Sequence, residues 1–117
     1  MVSKELLSEV LAEDIYEIQV LEGKAFFNSY NIWITSEKTF DCSVNIYELV
    51  FKYFKYWALG KQYSIISKTY RNGRGFTELE GRTEGLKNKS FEADTEVEAI
   101  IKACQWIMEN KCGSSYR

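Results

Sequence analysis

The chain has 117 residues, of which 45% are hydrophobic, 15% aromatic and 27% charged, a composition that excludes intrinsic disorder and a length that predicts one domain over 1–117. Fifteen Lys and Arg against seventeen Asp and Glu leave a net charge of −2, so the chain as a whole is no polycation. It contains neither histidine nor proline, which removes the commonest general base and zinc ligand, and also Pro-rich linkers or recognition arms.

Charges at Lys4, Glu5, Glu9, Glu13 and Asp14 interrupt any apolar run of signal-peptide length, and no window approaches the ~18 apolar residues of a membrane span. Cys42, Cys104 and Cys112 are an odd number at wide spacings, unlike a disulfide framework or a zinc site. A cytoplasmic protein without metal or other cofactor is expected.

Ser3 predicts the N-cap of a helix reaching Leu11, with Leu6, Leu7, Val10 and Leu11 as its apolar face. Alternation of Tyr16, Ile18 and Val20 predicts a strand over 15–21, and Glu22-Gly23-Lys24 a turn. A second extended run over 25–35 sets Tyr30, Ile32 and Ile34 on one face and Asn31, Trp33 and Thr35 on the other. Asn45 and Glu48 form a capping box that opens a central helix over 46–59, with Gly60 as its left-handed C-terminal glycine. A strand follows over 62–70. Asn72-Gly73 is a hairpin signal in which both turn positions tolerate positive φ, and the returning strand covers 76–83. After a polar loop, a short strand over 90–93 leads to a second capping box, Thr95 with Glu98. The last helix runs to about Asn110 on a stripe of Val97, Ile100, Ile101, Cys104, Ile107 and Met108, and 111–117 form a frayed tail. The order α-β-β-α-β-β-β-α predicts an α+β fold, an antiparallel sheet of about five strands with helices packed on it.

The central helix carries surplus apolar surface. Ile46, Leu49, Val50, Tyr53 and Trp57 share one side, and Tyr47, Phe51, Phe54 and Ala58 extend it to an arc of roughly 220°, where a helix on one sheet needs little more than about 100°. Another helix, a second subunit or a partner must cover the excess. Trp33 lies opposite its strand's apolar face, and Trp106 lies opposite the final helix's stripe, beside Ala99 and Ala103. A three-layer arrangement would bury both indoles; a binding surface would use them, since Trp is enriched at interface hot spots. Trp33, Phe51, Phe54 and Trp106 are therefore the candidate protein interface.

Chemistry of other kinds finds little footing. Glu78, Glu80 and Arg82 share one strand face, but paired carboxylates need unlike environments to divide acid and base roles, and a solvated face accounts for them. No histidine activates a cysteine. Gly73-Arg74-Gly75 sits in a hairpin, so it is neither a P-loop nor a dinucleotide fingerprint. The reading is of a non-enzymatic protein with no catalytic, cofactor-binding or metal residues.

Charge is unevenly divided: residues 1–50 carry −6, 51–90 carry +6 and 91–117 carry −2. Within the basic third, Lys61, Lys68, Arg71, Arg74 and Arg82 are interleaved with tyrosines, a pattern that can bind phosphates and stack bases. The alternative is that these cations are solvated or paired with the acidic first third.

From Asn45 to Asn110 the order α-β-β-β-α resembles the double-stranded RNA-binding domain, which contacts phosphate through lysines at the start of its last helix. Here the matching positions are Asp94, Thr95, Glu96 and Glu98, so the likeness is topological and its RNA-binding function does not transfer. The segment Asn45-Ile46-Tyr47-Glu48-Leu49, with the ending Ala93-Asp94-Thr95-Glu96-Val97-Glu98-Ala99-Ile100 running into Lys102-Ala103-Cys104-Gln105-Trp106-Ile107, resembles small phage and prophage proteins described as α/β sandwiches. That resemblance implies a mobile-element accessory protein that acts by binding, a class that includes inhibitors of host defence systems. The expectation is thus a small binding protein acting through a protein–protein surface, with a protein partner or self-association. A nucleic-acid-binding module built on residues 51–90 is the alternative.

Overall fold

A computed structural model describes residues 2–12, 15–21, 29–34, 42–45 and 49–114. The fold is α+β, and the chain divides into two compact units, residues 2–53 and residue 54 onward.

In the first unit, helix α1 (Lys4–Leu11) begins where expected. The Ser3 hydroxyl accepts the Leu6 N–H at 3.1 Å, satisfying one of the donors that a helix start leaves without a partner. Leu6 and Leu7 are fully buried, and α1 packs on strand β1 (Ile15–Leu21). The helix ends as Ala12 enters the left-handed region at φ 57° and donates its N–H to the Ser8 carbonyl. Strand β1 pairs antiparallel with β2 (Ser29–Ile34), which pairs antiparallel with β3 (Cys42–Asn45). The β1–β2 register shifts between Ile15 and Glu17.

Strand β3 was not anticipated. Four residues are too few to show a period, and Asn45 reads as a helix cap, whereas here it pairs with Ser29. The expected Glu22-Gly23-Lys24 turn, residues 25–28, and Ile46, Tyr47 and Glu48 lie outside the described residues.

The described helical backbone resumes at Leu49. Residues Leu49–Phe54 form a π-helical turn that passes into helix α2 (Lys55–Gly60). The wider i→i+5 turn changes which side chains align. Val50, Phe54 and Ala58 are fully buried, while Tyr53, expected on the apolar side, is 43% exposed. Gly60 is not left-handed either: Lys61 caps the helix at φ −96°, and Gln62 takes the positive φ of 72°.

The second unit is a sheet in the order β4 (Tyr63–Thr69), β5 (Gly75–Gly81), β6 (Lys89–Ala93), antiparallel throughout, with β5 central. The described strands thus form two three-stranded sheets, where the sequence reading expects one sheet of about five strands. The β4–β5 turn places only Gly73 at positive φ (93°), and Asn72 is not left-handed. The Gly73 N–H bonds the Tyr70 carbonyl, and the Tyr70 N–H bonds that of Arg74. The Asn72 side-chain carbonyl accepts the Arg74 N–H at 3.0 Å. This is a three-residue loop, which needs one left-handed residue and not two.

Helix α3 (Glu96–Ser114) crosses one face of this sheet and extends past the expected end at Asn110. The Thr95 hydroxyl caps it by accepting the Glu98 N–H at 3.1 Å. Its contact with the sheet is made by the small-residue face: Ala103 and Ile107 join Ala58, Tyr63 and Leu79 in one buried cluster, with Trp57, Ile65, Leu86, Phe91 and Trp106 packed against it.

Two positions fix the distance between helix and sheet. A Cβ on Gly75 would strike the Thr95 carbonyl and the Glu96 nitrogen, so the backbones touch there without a side chain between them. Glu96 then reaches β4, where its carboxylate accepts the hydroxyls of Ser67 at 2.6 Å and Thr69 at 2.7 Å. These are short charge-assisted bonds, and a carboxylate in a helix's first turn also complements the helix dipole.

Two substitutions test this packing. Gly75→Ala is expected to lower stability by about 2 kcal/mol or more, because backbone cannot move aside as a side chain can, and the denaturant midpoint reads it. Thr77, fully buried beneath α3, has a hydroxyl with no hydrogen-bond partner. Thr77→Val is expected to raise stability by about 1 kcal/mol, since the near-isosteric methyl removes an unsatisfied polar group.

Candidate binding surfaces

The groups that sequence singles out for chemistry are dispersed. Cys104 is fully buried in α3, and burial pushes its thiol up to about 12, so it is neither accessible nor thiolate near neutrality. Glu78 and Glu80 lie on β5 facing away from α3, while Arg82 falls just beyond the strand and donates its N–H to the Gln62 carbonyl at 2.8 Å. Among the described residues, no group of three or more Cys, Asp or Glu side chains is placed to hold a metal ion. No described helix is long and apolar enough to cross a membrane.

The five basic candidates do not form one surface. Lys61 and Arg82 stand at the end of the sheet where β4 begins and β5 finishes. Lys68, Arg71 and Arg74 stand at the hairpin end, six strand steps or about 20 Å away. Within the hairpin group one cation is compensated by a carboxylate. Arg74 pairs with Asp94 at 3.0 Å, and the Tyr70 hydroxyl donates to Glu92 at 3.3 Å. Lys68 lies over the Tyr70 and Phe76 rings at 5.2 and 5.5 Å.

The interface candidates separate as well. Phe54 is fully buried in the chain, which removes it from any accessible surface. Phe51 is half-buried and has a contact of its own. Trp33 lies in β2 with its backbone in register with Glu17. Trp106 turns inward, against the expectation that it points away from the core. It meets Tyr63 edge-on at 6.1 Å and Phe91 at 6.2 Å. The reason is that Ala99 and Ala103, both fully buried, let this side of α3 approach closely. A period of 3.6 marks two apolar sides on this helix without saying which one meets the sheet.

Two places emerge that the sequence reading did not assemble, although it names Lys61, Lys68, Arg82 and Trp106 among their residues. One is the face of β4–β5–β6 opposite α3, where no helix of its own unit lies. It presents Ser64, Ile66, Lys68 and Tyr70 from the β4 side, Phe76, Glu78 and Glu80 from β5, and Ser90 and Glu92 from β6. Ile66 is 47% exposed near its middle, in register with Glu78, which in turn faces Ser90. Strand alternation could have found this face: Ile66 is apolar on the side that otherwise carries charge and hydroxyl.

The other place is the opposite end of the sheet from the hairpin, where lysines lie over tryptophans. The Lys61 ammonium is 5.8 Å from the Trp57 ring centroid, and that of Lys89 is 5.6 Å from Trp106 and 5.7 Å from Phe91. The i,i+4 spacing of Trp57 and Lys61 was legible. The Lys89–Trp106 contact was not, because it joins β6 to α3. No family model, curated protein or solved structure matches this chain.

The open face yields a pH prediction. Partial burial, the nearby Glu92 charge and the hydrogen bond to it hold the Tyr70 phenol above its ordinary value of 10. Because the folded state holds this proton more tightly, its contribution is complete below pH 10 and is lost as pH rises through the folded value. Ring carbon shifts of Tyr70 are expected to titrate late, and Glu92→Gln to move them back toward 10.

Proposed function

We propose that this chain is a non-enzymatic binding protein that acts through a protein–protein surface, and that the surface is the open face of β4–β5–β6. The observation that carries this reading is Ile66, 47% exposed on a sheet face that also carries charges of both signs and, further along around Lys68, the rings of Tyr70 and Phe76. An apolar centre with a polar rim is the anatomy of protein interfaces. The charges favour protein over nucleic acid here: Glu78, Glu80 and Glu92 would repel phosphates, and only Lys68 offsets them. The basic-segment alternative is weakened by the separation of its five cations to opposite ends of the sheet. A phage or prophage accessory role, including action on a host defence system in the cytoplasm, is the setting implied by the resemblance of the 93–107 ending. A single protein partner or a second copy of the chain would occupy the face.

A photo-crosslinking side chain introduced at Ser90, on the same face, is expected to give a discrete protein adduct in cells producing the protein. Adding Ile66→Lys should abolish the adduct while leaving the thermal midpoint within a few degrees, because Ile66 is exposed and Lys faces Glu78 across the strand pair. Absence of any adduct, together with a monomeric mass at high concentration, would overturn the reading.

A further inference from the structure

The lysine–tryptophan end of the second sheet has a chemistry distinct from the open face. Lys61, Gln62 and Tyr63 are consecutive, and Arg82 is tied to Gln62 through its backbone. Tyr63 meets Trp106, whose ring also carries Lys89. Trp57 and Trp106 are half-buried and pack on one buried cluster. Lys87 adds a further exposed cation in the loop before β6. The acids of this end, among the described residues, are Glu80, on the opposite face of β5, Glu84, in the same loop, and Glu109, one turn beyond Trp106, which accepts a hydrogen bond from Gln105 at 3.0 Å. Among the described residues the ion pair formed is Arg74–Asp94, at the hairpin end. Lys61, Arg82, Lys87 and Lys89 therefore lack a carboxylate partner there.

An ammonium group resting on an indole face near solvent is only weakly held. It can lift off at little cost to meet a phosphate, and the indole face it leaves becomes available for stacking. Both parts are already adjacent, which is the combination used by proteins that hold single strands. An acidic peptide would engage the lysines but would leave the indoles unused.

We propose that this end of the sheet binds a nucleotide unit, its base stacked on the Trp106 indole and its phosphate held by Lys89, with Lys61, Arg82 and Lys87 adding to the local field. The nucleotide could be free or part of a single strand; both present the same base and phosphate. The site is independent of the protein-binding reading, which uses the other face.

The test uses the full chain at ~50 mM salt, with tryptophan fluorescence as the readout and three probes: adenosine monophosphate, a ten-nucleotide single strand and inorganic pyrophosphate. Quenching by both nucleotide probes supports a free-nucleotide site, and quenching by the single strand alone supports a strand-binding site. Lys89→Glu is expected to weaken binding at least tenfold and Lys61→Met by a smaller factor; Lys89 is exposed and Met keeps the apolar stem at position 61, so the fold is retained. Arg71→Glu, at the hairpin end, should leave binding unchanged. If two phosphates are contacted, the affinity of the single strand should fall with salt at a log–log slope of about −1.4. Equal binding of pyrophosphate and nucleotide would overturn stacking, and no binding of any probe would overturn the site. Neither result would bear on an adduct at Ser90.

Discussion

The start of α3 rests on β5 with no side chain between them. Gly75 permits that contact, and Glu96, gripped by the hydroxyls of Ser67 and Thr69, holds the helix to β4 as well. With its first turn anchored at the hairpin end, α3 runs along the sheet with Ala99 and Ala103 inward and delivers Trp106 to Tyr63 and Phe91. The rest of the second unit follows from this one close approach. The helix side becomes a core of Ala58, Tyr63, Leu79, Ala103 and Ile107 edged by half-buried aromatics, and among the described residues the other side of the same three strands lies beneath no helix of that unit.

The acidic run at the helix start gains its meaning from the same contact. Asp94, Thr95 and Glu96 are engaged with Arg74, the Glu98 N–H and the β4 hydroxyls. Carboxylates stand here where the double-stranded RNA-binding domain carries lysines, and two of them are committed to holding the fold. The α-β-β-β-α order and its helix-on-sheet packing are therefore compatible with an end of α3 that has no phosphate-binding role. At the other end of the sheet Lys61 and Lys89 lie on indoles, with no carboxylate partner among the described residues.

The π-turn has a comparable effect on the central helix. An arc of apolar residues wider than one sheet can bury suggests a partner only if the residues keep a 3.6 period. The turn at Leu49–Phe54 breaks that period, taking Phe54 fully inside and leaving Tyr53 partly in solvent. Tyr56, 73% exposed on α2, is the aromatic most open to water on that helix. Much of the surplus that the helical wheel counts is thus absorbed within the chain, and the case for a binding surface moves to Ile66 and the sheet.

Local chemistry was readable before any coordinates: the Ser3 and Thr95 caps, the 15–21 strand, the Asn72-Gly73 hairpin and the inert, apolar setting of Cys104. Each depends on residues within a few positions of one another, so the chain's own spacing contains the signal. Boundaries were less secure, and the four-residue β3 was invisible because it is defined by its pairing with Ser29–Ile32 and not by any pattern of its own. Division of the strands between two sheets, the inward turn of Trp106, the burial of Phe54 and the parking of Lys89 on Trp106 were decided only by tertiary structure. They depend on which apolar side of a helix meets which strand, and that choice is made by close approach at Gly75 and Ala103, far apart in sequence, rather than by hydrophobicity, which both sides of the helix share.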